Sequence, residues 1–169
     1  MDKGQYRYRI AYGCWLNDSR TEPIATESWP SIIIDEQTLS SLDSTMAFLK
    51  ECGYNYFDVF GLLTNNNWTR DIVSTVDQDR IALVQKVIDI VHAHGLSLIY
   101  GLGVYSWGFD DIIAQNPAVR GTSNQAMCAS SKESEQIMFK VIDFVLEHFL
   151  VDGFHLEAAD QGRCHCENC

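Results

Sequence analysis

The chain has few basic residues and no long apolar run. Its 12 lysines and arginines stand against 23 aspartates and glutamates, which gives a formal net charge of -11. This excess of negative charge repels phosphate backbones and anionic lipid headgroups, so neither nucleic acid nor a membrane is an expected partner. No stretch approaches the roughly 20 apolar residues that cross a bilayer, and no apolar signal-peptide core follows Met1. These absences favour a soluble, cytoplasmic protein.

Internal repeats, low-complexity segments and linkers are also missing. A hydrophobic content of 46% is ordinary for a globular protein, so we predict one domain over residues 1–169. Gly101-Leu-Gly103 is followed by Ser106 where a dinucleotide-binding fingerprint would have its third glycine. No phosphate-binding turn and no organic cofactor are therefore expected.

Strand-like and helical patterns alternate along the chain. Apolar, β-rich runs predict four strands over residues 6–16, 54–63, 96–104 and 151–158. Apolar residues at helical spacing predict three helices. The first two cover residues 38–52 and 77–93, and the third begins at a capping box formed by residues 130–133. This order produces a parallel sheet with right-handed crossovers. It suits either an open doubly wound sheet or a β/α-barrel, which takes about 250 residues when complete.

The lengths of the connections favour the barrel. The strand-to-helix loops at 64–76 and 105–129 are long, whereas the helix-to-strand returns are only a few residues. Barrel enzymes load functional loops onto one end of the strands in this way. The chain also stops at Cys169, within a motif after the fourth strand. We predict an α/β fold, a (β/α)8 TIM-barrel truncated to about its first four strands and three helices, with the C-terminal half of the barrel as its partner.

The predicted fourth strand ends in a candidate catalytic carboxylate. Because successive strand side chains point to opposite faces, His155 and Glu157 share the face opposite Phe154 and its apolar neighbours. If the apolar face meets the helices, Glu157 lies inside the barrel at the C-terminal mouth, where barrel enzymes place catalytic groups. Asp160 follows closely, and glycoside hydrolysis requires paired carboxylates. The alternatives are a structural glutamate, a core histidine that orients Glu157, and an aspartate that caps a turn.

Aromatic and polar residues gather at the same predicted mouth. Sugars present apolar C–H faces that suit aromatic platforms, so these residues predict a carbohydrate pocket. The alternative is ordinary packing of large side chains. The predicted substrate-binding residues are Trp15, Asn17, Asp58, Trp68, Tyr105, Trp107 and His155, with Asp110 at a comparable strand end.

Three of the six cysteines fall within the last six residues. Cys164, Cys166 and Cys169 are spaced so that one turn can aim three thiols at a single point, and zinc takes four such ligands. Cys128, in the loop after the third strand, is the predicted fourth metal ligand, and His165 is the other candidate. Free thiols or a Cys166 to Cys169 redox pair are the alternatives. A zinc site closed by four protein ligands would be structural.

Three segments carry a resemblance to sugar-cleaving barrels: DGFHLEAADQGRCHCENC at 152–169, GVYSWGF at 103–109 and MCAS at 127–130. Together they resemble barrel domains related to family 20 glycoside hydrolases and α-glucuronidases. The resemblance implies sugar hydrolysis with Glu157 as the general acid. Family 20 hexosaminidases place Asp and Glu adjacently at this strand end, whereas Glu157 is followed by Ala158 and Ala159. A conventional nucleophile would then come from strands beyond Cys169.

We therefore expect a glycosidase when the protein is full length, with this chain alone inactive. Two other classes remain open. One is a non-catalytic carbohydrate-binding or scaffold barrel, which would bind sugar without turnover. The other is a metal-dependent hydrolase in which the cysteine site is open to substrate.

Overall fold

The computed structural model describes residues 6–12, 33–63, 76–105, 109–123, 126–158 and 164–169. Within these residues, one parallel sheet has the strand order β1-β2-β3-β4, and the helices lie between consecutive strands. This is the order of the first four strands of a β/α-barrel, so the predicted fold class is confirmed. The strands are β1 (Ile10–Tyr12), β2 (Tyr56–Val59), β3 (Ser97–Val104) and β4 (Gly153–Ala158), and the helices are α1 (Glu36–Glu51), α2 (Gln78–Ala93), α3 (Asp110–Gln115) and α4 (Lys132–His148).

The long helices begin at side-chain caps. Asp35 caps α1 and Asp77 caps α2, each through a side-chain oxygen that accepts a backbone N–H of the first turn. The predicted capping box is displaced by one residue, because Ser131 caps α4 and accepts from the Ser134 N–H at 3.4 Å. Ser130 lies outside the helix. The sequence pattern missed α3, since six residues are too few for a helical period to be recognised.

The helices cover one face of the sheet and bury its apolar side chains. This face explains the near-continuous apolar run of β3, which is typical of a parallel strand covered by helices. None of the described helices is long and apolar enough to span a membrane. The strand side chains of the buried face are Phe57, Val59, Leu98, Tyr100 and Leu102, and those of α2 that pack with them are Val84, Val87, Ile88 and Val91.

The opposite, concave face of the sheet carries the polar residues. Parallel register places Gly101 beside His155 and Gly103 beside Glu157, so β3 contributes no side chain next to either residue. A Cβ atom on Gly101 would lie 2.3 Å from a ring carbon of Phe60. Glycine is therefore required where the Phe60 ring crosses the strand.

Candidate functional site

Glu157 lies on the concave face near the C-terminal end of β4. It is half-buried, and its Oε2 accepts a hydrogen bond from the Tyr12 hydroxyl at 3.2 Å. The two residues are 145 positions apart in the chain, so the contact crosses the concave face from β1 to β4. A donor on one carboxylate oxygen restrains the side chain and leaves the other oxygen for a ligand.

Asp58 and His155 form a close pair beside Glu157. His155 Nδ1 lies 2.6 Å from Asp58 Oδ2, and the Asp58 side chain is only 6% exposed. Burial raises the pKa of the Asp58 carboxyl, while the hydrogen bond and the charge of His155 lower it and the charge of Glu157 raises it further. Asp58, His155 and Glu157 thus interact electrostatically.

Aromatic rings hold His155 in place. The ring centroids of Phe60 and Tyr12 lie 5.0 and 5.5 Å from that of His155. An open cavity of about 470 Å³ borders this face, and Tyr12, Asp58 and His155 line part of it. Sequence reasoning missed Tyr12, Phe60 and the space at Gly101. Two signals in the sequence could have indicated them. Alternation along the first strand places Ile10 and Tyr12 on one face, and the two glycines of β3 leave space for a neighbouring side chain.

The remaining predicted mouth residues have different outcomes. Tyr105 follows β3, is half-buried and has a positive φ of 62°, a backbone region that non-glycine residues seldom adopt. Asp110 begins α3, and its side chain is not among the described groups. The predicted residues that lie outside the described ranges are Trp15, Asn17, Trp68, Trp107 and Asp160.

The four predicted metal-ligand cysteines come together. The sulfurs of Cys128, Cys164, Cys166 and Cys169 all lie within 4.8 Å of one another. Cys128 Sγ is 3.7 Å from Cys166 Sγ and 3.6 Å from Cys169 Sγ. These separations are far longer than the roughly 2.05 Å of a disulfide bond. The four sulfurs are close enough together to be compatible with a metal site. Cys128, and not His165, is the fourth member of this group.

Two loops bring these cysteines together. Cys128 follows a bridge between Arg120 and Met127, and its N–H donates to the Val119 carbonyl at 2.8 Å. The Met127 N–H donates to the carbonyl of Tyr105 at 2.6 Å, which ties this loop to the end of β3. The other three cysteines lie in the segment after β4. The cluster therefore joins the loops that follow two adjacent strands.

Neighbouring groups support the cysteine cluster. Ser130 donates to the carbonyl of Asn168 at 2.6 Å, and its hydroxyl lies 3.3 Å from Cys169 Sγ. A Cβ atom on Gly121 would lie 2.7 Å from Cys164 Sγ, so only glycine leaves room for this sulfur. Serine at position 130 and glycine at 121 thus have a local role that the sequence pattern did not reveal.

Hydrogen bonding and burial shift the pKa values of the cluster's thiols in opposite directions. Backbone N–H groups of Cys166 and Thr122 lower the pKa of Cys164, and the hydroxyl and backbone of Ser130 lower the pKa of Cys169. Burial is the main cause that raises the pKa of Cys128. N–H and O–H donors directed at sulfur favour thiolates, the form in which cysteine binds metals.

Fold and site together define a partial β/α-barrel with a polar concave face and an adjacent cysteine cluster. Solved structures with a similar fold include a noncanonic maltogenic α-amylase, AmyB from Thermotoga neapolitana, with a TM-score of 0.53 and 13% identity over 78% of this chain. A protein assigned as an α-amylase from Salmonella typhimurium has a TM-score of 0.51 and 17% identity over 95% of this chain. The chain spans 37% and 30% of these two proteins. It matches no protein-family model and no curated protein.

At these identities the likeness establishes the fold, which is shared with amylase structures. It does not distinguish the family 20 and α-glucuronidase barrels that the sequence motifs resemble.

Proposed function

We propose that this chain is the first part of a catalytic β/α-barrel that hydrolyses a glycosidic bond. The observation that carries the proposal is Glu157, a half-buried carboxylate near the C-terminal end of β4 that is held by Tyr12 beside the Asp58 and His155 pair. Barrel enzymes place catalytic groups at this end of their strands. Similarity of fold to two amylase structures supports the same class of reaction.

In this proposal Glu157 is the general acid. Its proton passes to the glycosidic oxygen as the bond from that oxygen to the anomeric carbon breaks. Asp160 then positions Glu157 or a substrate group, while Trp15, Trp68 and Trp107 line the sugar site. A second catalytic carboxylate would come from a later strand.

The open edge of β4 supports a larger barrel. Three leucines of α4, the following turn and β4 are strongly exposed: Leu146 at 57%, Leu150 at 73% and Leu156 at 55%. Leu156 lies on the same face of β4 as Phe154, which packs on the core, so a further helix would cover it. We propose that additional β/α units pair with β4, and that hydrolysis requires them.

Zinc is the metal that we propose for the cysteine cluster. Tetrahedral zinc with bonds of about 2.3 Å to sulfur separates its sulfurs by about 3.8 Å. The separations from Cys128 Sγ, 3.7 Å to Cys166 and 3.6 Å to Cys169, are close to that value. Four thiolates would leave no position for substrate, so bound zinc would be structural, which argues against a metal-dependent hydrolase.

Metal analysis tests the zinc proposal. We expect about one zinc per chain by plasma mass spectrometry after purification without chelator, and a large loss in Cys166→Ser. Cys52→Ser is the matched control, because Cys52 is exposed and lies outside the cluster. Equal metal content in the two variants, or none in the parent protein, would contradict the assignment.

Glu157→Gln tests the catalytic proposal in a protein that carries the complete barrel. The amide keeps the size of the side chain and cannot supply the proton, so we expect kcat on an active glycoside to fall by about 10²–10⁴-fold. Glu147→Gln on the exposed surface of α4 is the control and should retain activity. Hydrolysis that is unchanged by Glu157→Gln would remove Glu157 from the mechanism.

A binding-only barrel is the second candidate. The Tyr12 hydroxyl already occupies Oε2 of Glu157, an arrangement that equally suits a carboxylate whose task is to bind a sugar hydroxyl. Calorimetric binding of an oligosaccharide by the complete protein without any turnover would favour this candidate over the glycosidase.

A further inference from the structure

A buried carboxylate lies directly behind the His155 imidazole. The Asp58 side chain is 6% exposed and the His155 side chain 35% exposed. Asp58 Oδ1 is buried and has no hydrogen-bond partner in the described part of the chain, so His155 is the group that satisfies this carboxylate. The pair therefore extends from the interior of the sheet to the cavity.

The pair determines which group His155 presents to a ligand. A carboxylate can only accept hydrogen bonds, so the contact with Asp58 places a hydrogen on Nδ1. In the neutral ring, Nε2 then carries the lone pair and is an acceptor. The rings of Tyr12 and Phe60 restrain rotation of the imidazole. His155 lines the cavity, and no group among the described residues occupies Nε2.

Glu157 contributes a second acceptor on the same face. Its Oε2 accepts from Tyr12, which leaves Oε1. His155 and Glu157 are two positions apart on β4, so both point to the concave side. Two acceptors match ligand groups that donate, such as hydroxyls. A ligand carboxylate has no hydrogen to donate and would meet the charges of Asp58 and Glu157.

We infer that the site selects a neutral sugar, whose hydroxyls donate to His155 Nε2 and Glu157 Oε1, over the corresponding uronic acid. The inference rests on the proposed function for the identity of the ligand as a sugar. His155 contacts the ligand, and Asp58 is a positioning residue that fixes the tautomer of His155. This selectivity would differ from that of α-glucuronidases, one of the two families that the sequence segments resemble.

Matched ligands test the selectivity. The probes are p-nitrophenyl glucoside and p-nitrophenyl glucuronide in both anomeric forms, which differ only at the sixth carbon of the sugar. Binding to the parent protein that carries the complete barrel is measured by calorimetry with the thioglycoside forms of both probes, which glycosidases cleave too slowly for turnover to interfere. We expect the glucuronide to bind at least about tenfold more weakly. Equal or tighter binding of the glucuronide overturns the inference and leaves sugar binding intact. Binding of neither series by the parent protein overturns the proposed function with it.

Two amide variants separate ligand contact from a structural role of His155. The side chain of Gln places an amide near Nε2, whereas that of Asn places one near Nδ1, towards Asp58. Loss of one such hydrogen bond typically weakens binding by about tenfold. We expect His155→Gln to retain part of the glucoside binding and His155→Asn to lose it, with folding checked by circular dichroism. The reverse order, or full binding by both, overturns the assignment of His155.

Nitrogen-15 NMR of the imidazole provides a readout that does not depend on any ligand. We expect His155 to be the Nδ1–H tautomer, because Nδ1 faces Asp58, and Asp58→Asn to produce a mixture of tautomers. An imidazolium, or an Nε2–H tautomer in the parent protein, would refute the acceptor role whatever the sugar results. The Glu147→Gln variant, far from the pair, should leave the spectrum unchanged.

Discussion

Replacing Gly101 by alanine should displace the ring that supports the candidate site. The added Cβ would lie 2.3, 2.4 and 2.5 Å from three ring atoms of Phe60, whereas carbon atoms in contact are usually 3.5–4.0 Å apart. Phe60 is 3% exposed, so its ring has little free space into which to move. Overpacking of this kind costs about 1–3 kcal/mol. In a chain of this size that corresponds to a fall in Tm of about 2–4 °C for each kcal/mol.

Urea unfolding followed by circular dichroism measures this cost. Gly153→Ala is the matched control, because Gly153 also lies in the parallel sheet and nothing lies within 4 Å of its added Cβ. The control should be neutral or stabilising by up to about 1 kcal/mol, since alanine restricts the unfolded chain more than glycine does. Adding Phe60→Leu to Gly101→Ala should recover part of the loss. If Gly101→Ala unfolded at the same urea concentration as Gly153→Ala, the ring would not require glycine.

Two further predictions concern the supports of the fold and of the cysteine cluster. Gly121→Ala places a Cβ 2.7 Å from the sulfur of Cys164. If zinc occupies the cluster as proposed, the metal content per chain should fall well below that of the parent protein. Unchanged metal content by mass spectrometry would contradict the packing argument. Asp152 Oδ2 accepts a hydrogen bond from the Leu98 N–H at 2.7 Å and lies 2.8 Å from His92 Nε2. Asp152→Asn removes the negative charge and so weakens both contacts. Because Asp152 is partly exposed, we expect a loss of only about 1 kcal/mol in the free energy of unfolding, and a change above about 3 kcal/mol would indicate a larger role.

Local patterns were sufficient to predict the order of the four strands and the three long helices, though not the short α3. Each of these elements buries one face in the core, and burial produces the apolar run of β3 and the helical spacing of apolar residues in α1 and α2. The boundaries were less accurate, because a hydroxyl at either Ser130 or Ser131 could cap α4. The structure places Ser131 at the cap and Ser130 against the cysteine segment, and this choice depends on a contact 38 residues away.

The candidate site was predictable only where one strand contains the signal. Alternation along β4 places His155 and Glu157 on one face, and the spacing of the last three cysteines indicates a cluster. Tyr12 on β1 and Phe60 just after β2 reach the same face, so no local pattern along β4 identifies them. Asp58 remains a predicted substrate-binding residue, and the contact of its buried side chain with His155 was not predicted. Pairing between strands, and not the sequence near each residue, determines these contacts.

The candidate site therefore has two kinds of support. The Asp58 and His155 pair is held by β2 and β4 within one sheet, and its geometry depends on packing that includes Phe60. Tyr105 lies beyond the end of β3, and its carbonyl accepts from the residue that precedes Cys128. The backbone of Tyr105 has a positive φ, a conformation that persists only where its surroundings hold it. A metal on the cysteine cluster would restrain the loop that carries Cys128, so it would act on the segment that follows β3, whereas the Asp58 and His155 pair is held by the sheet itself.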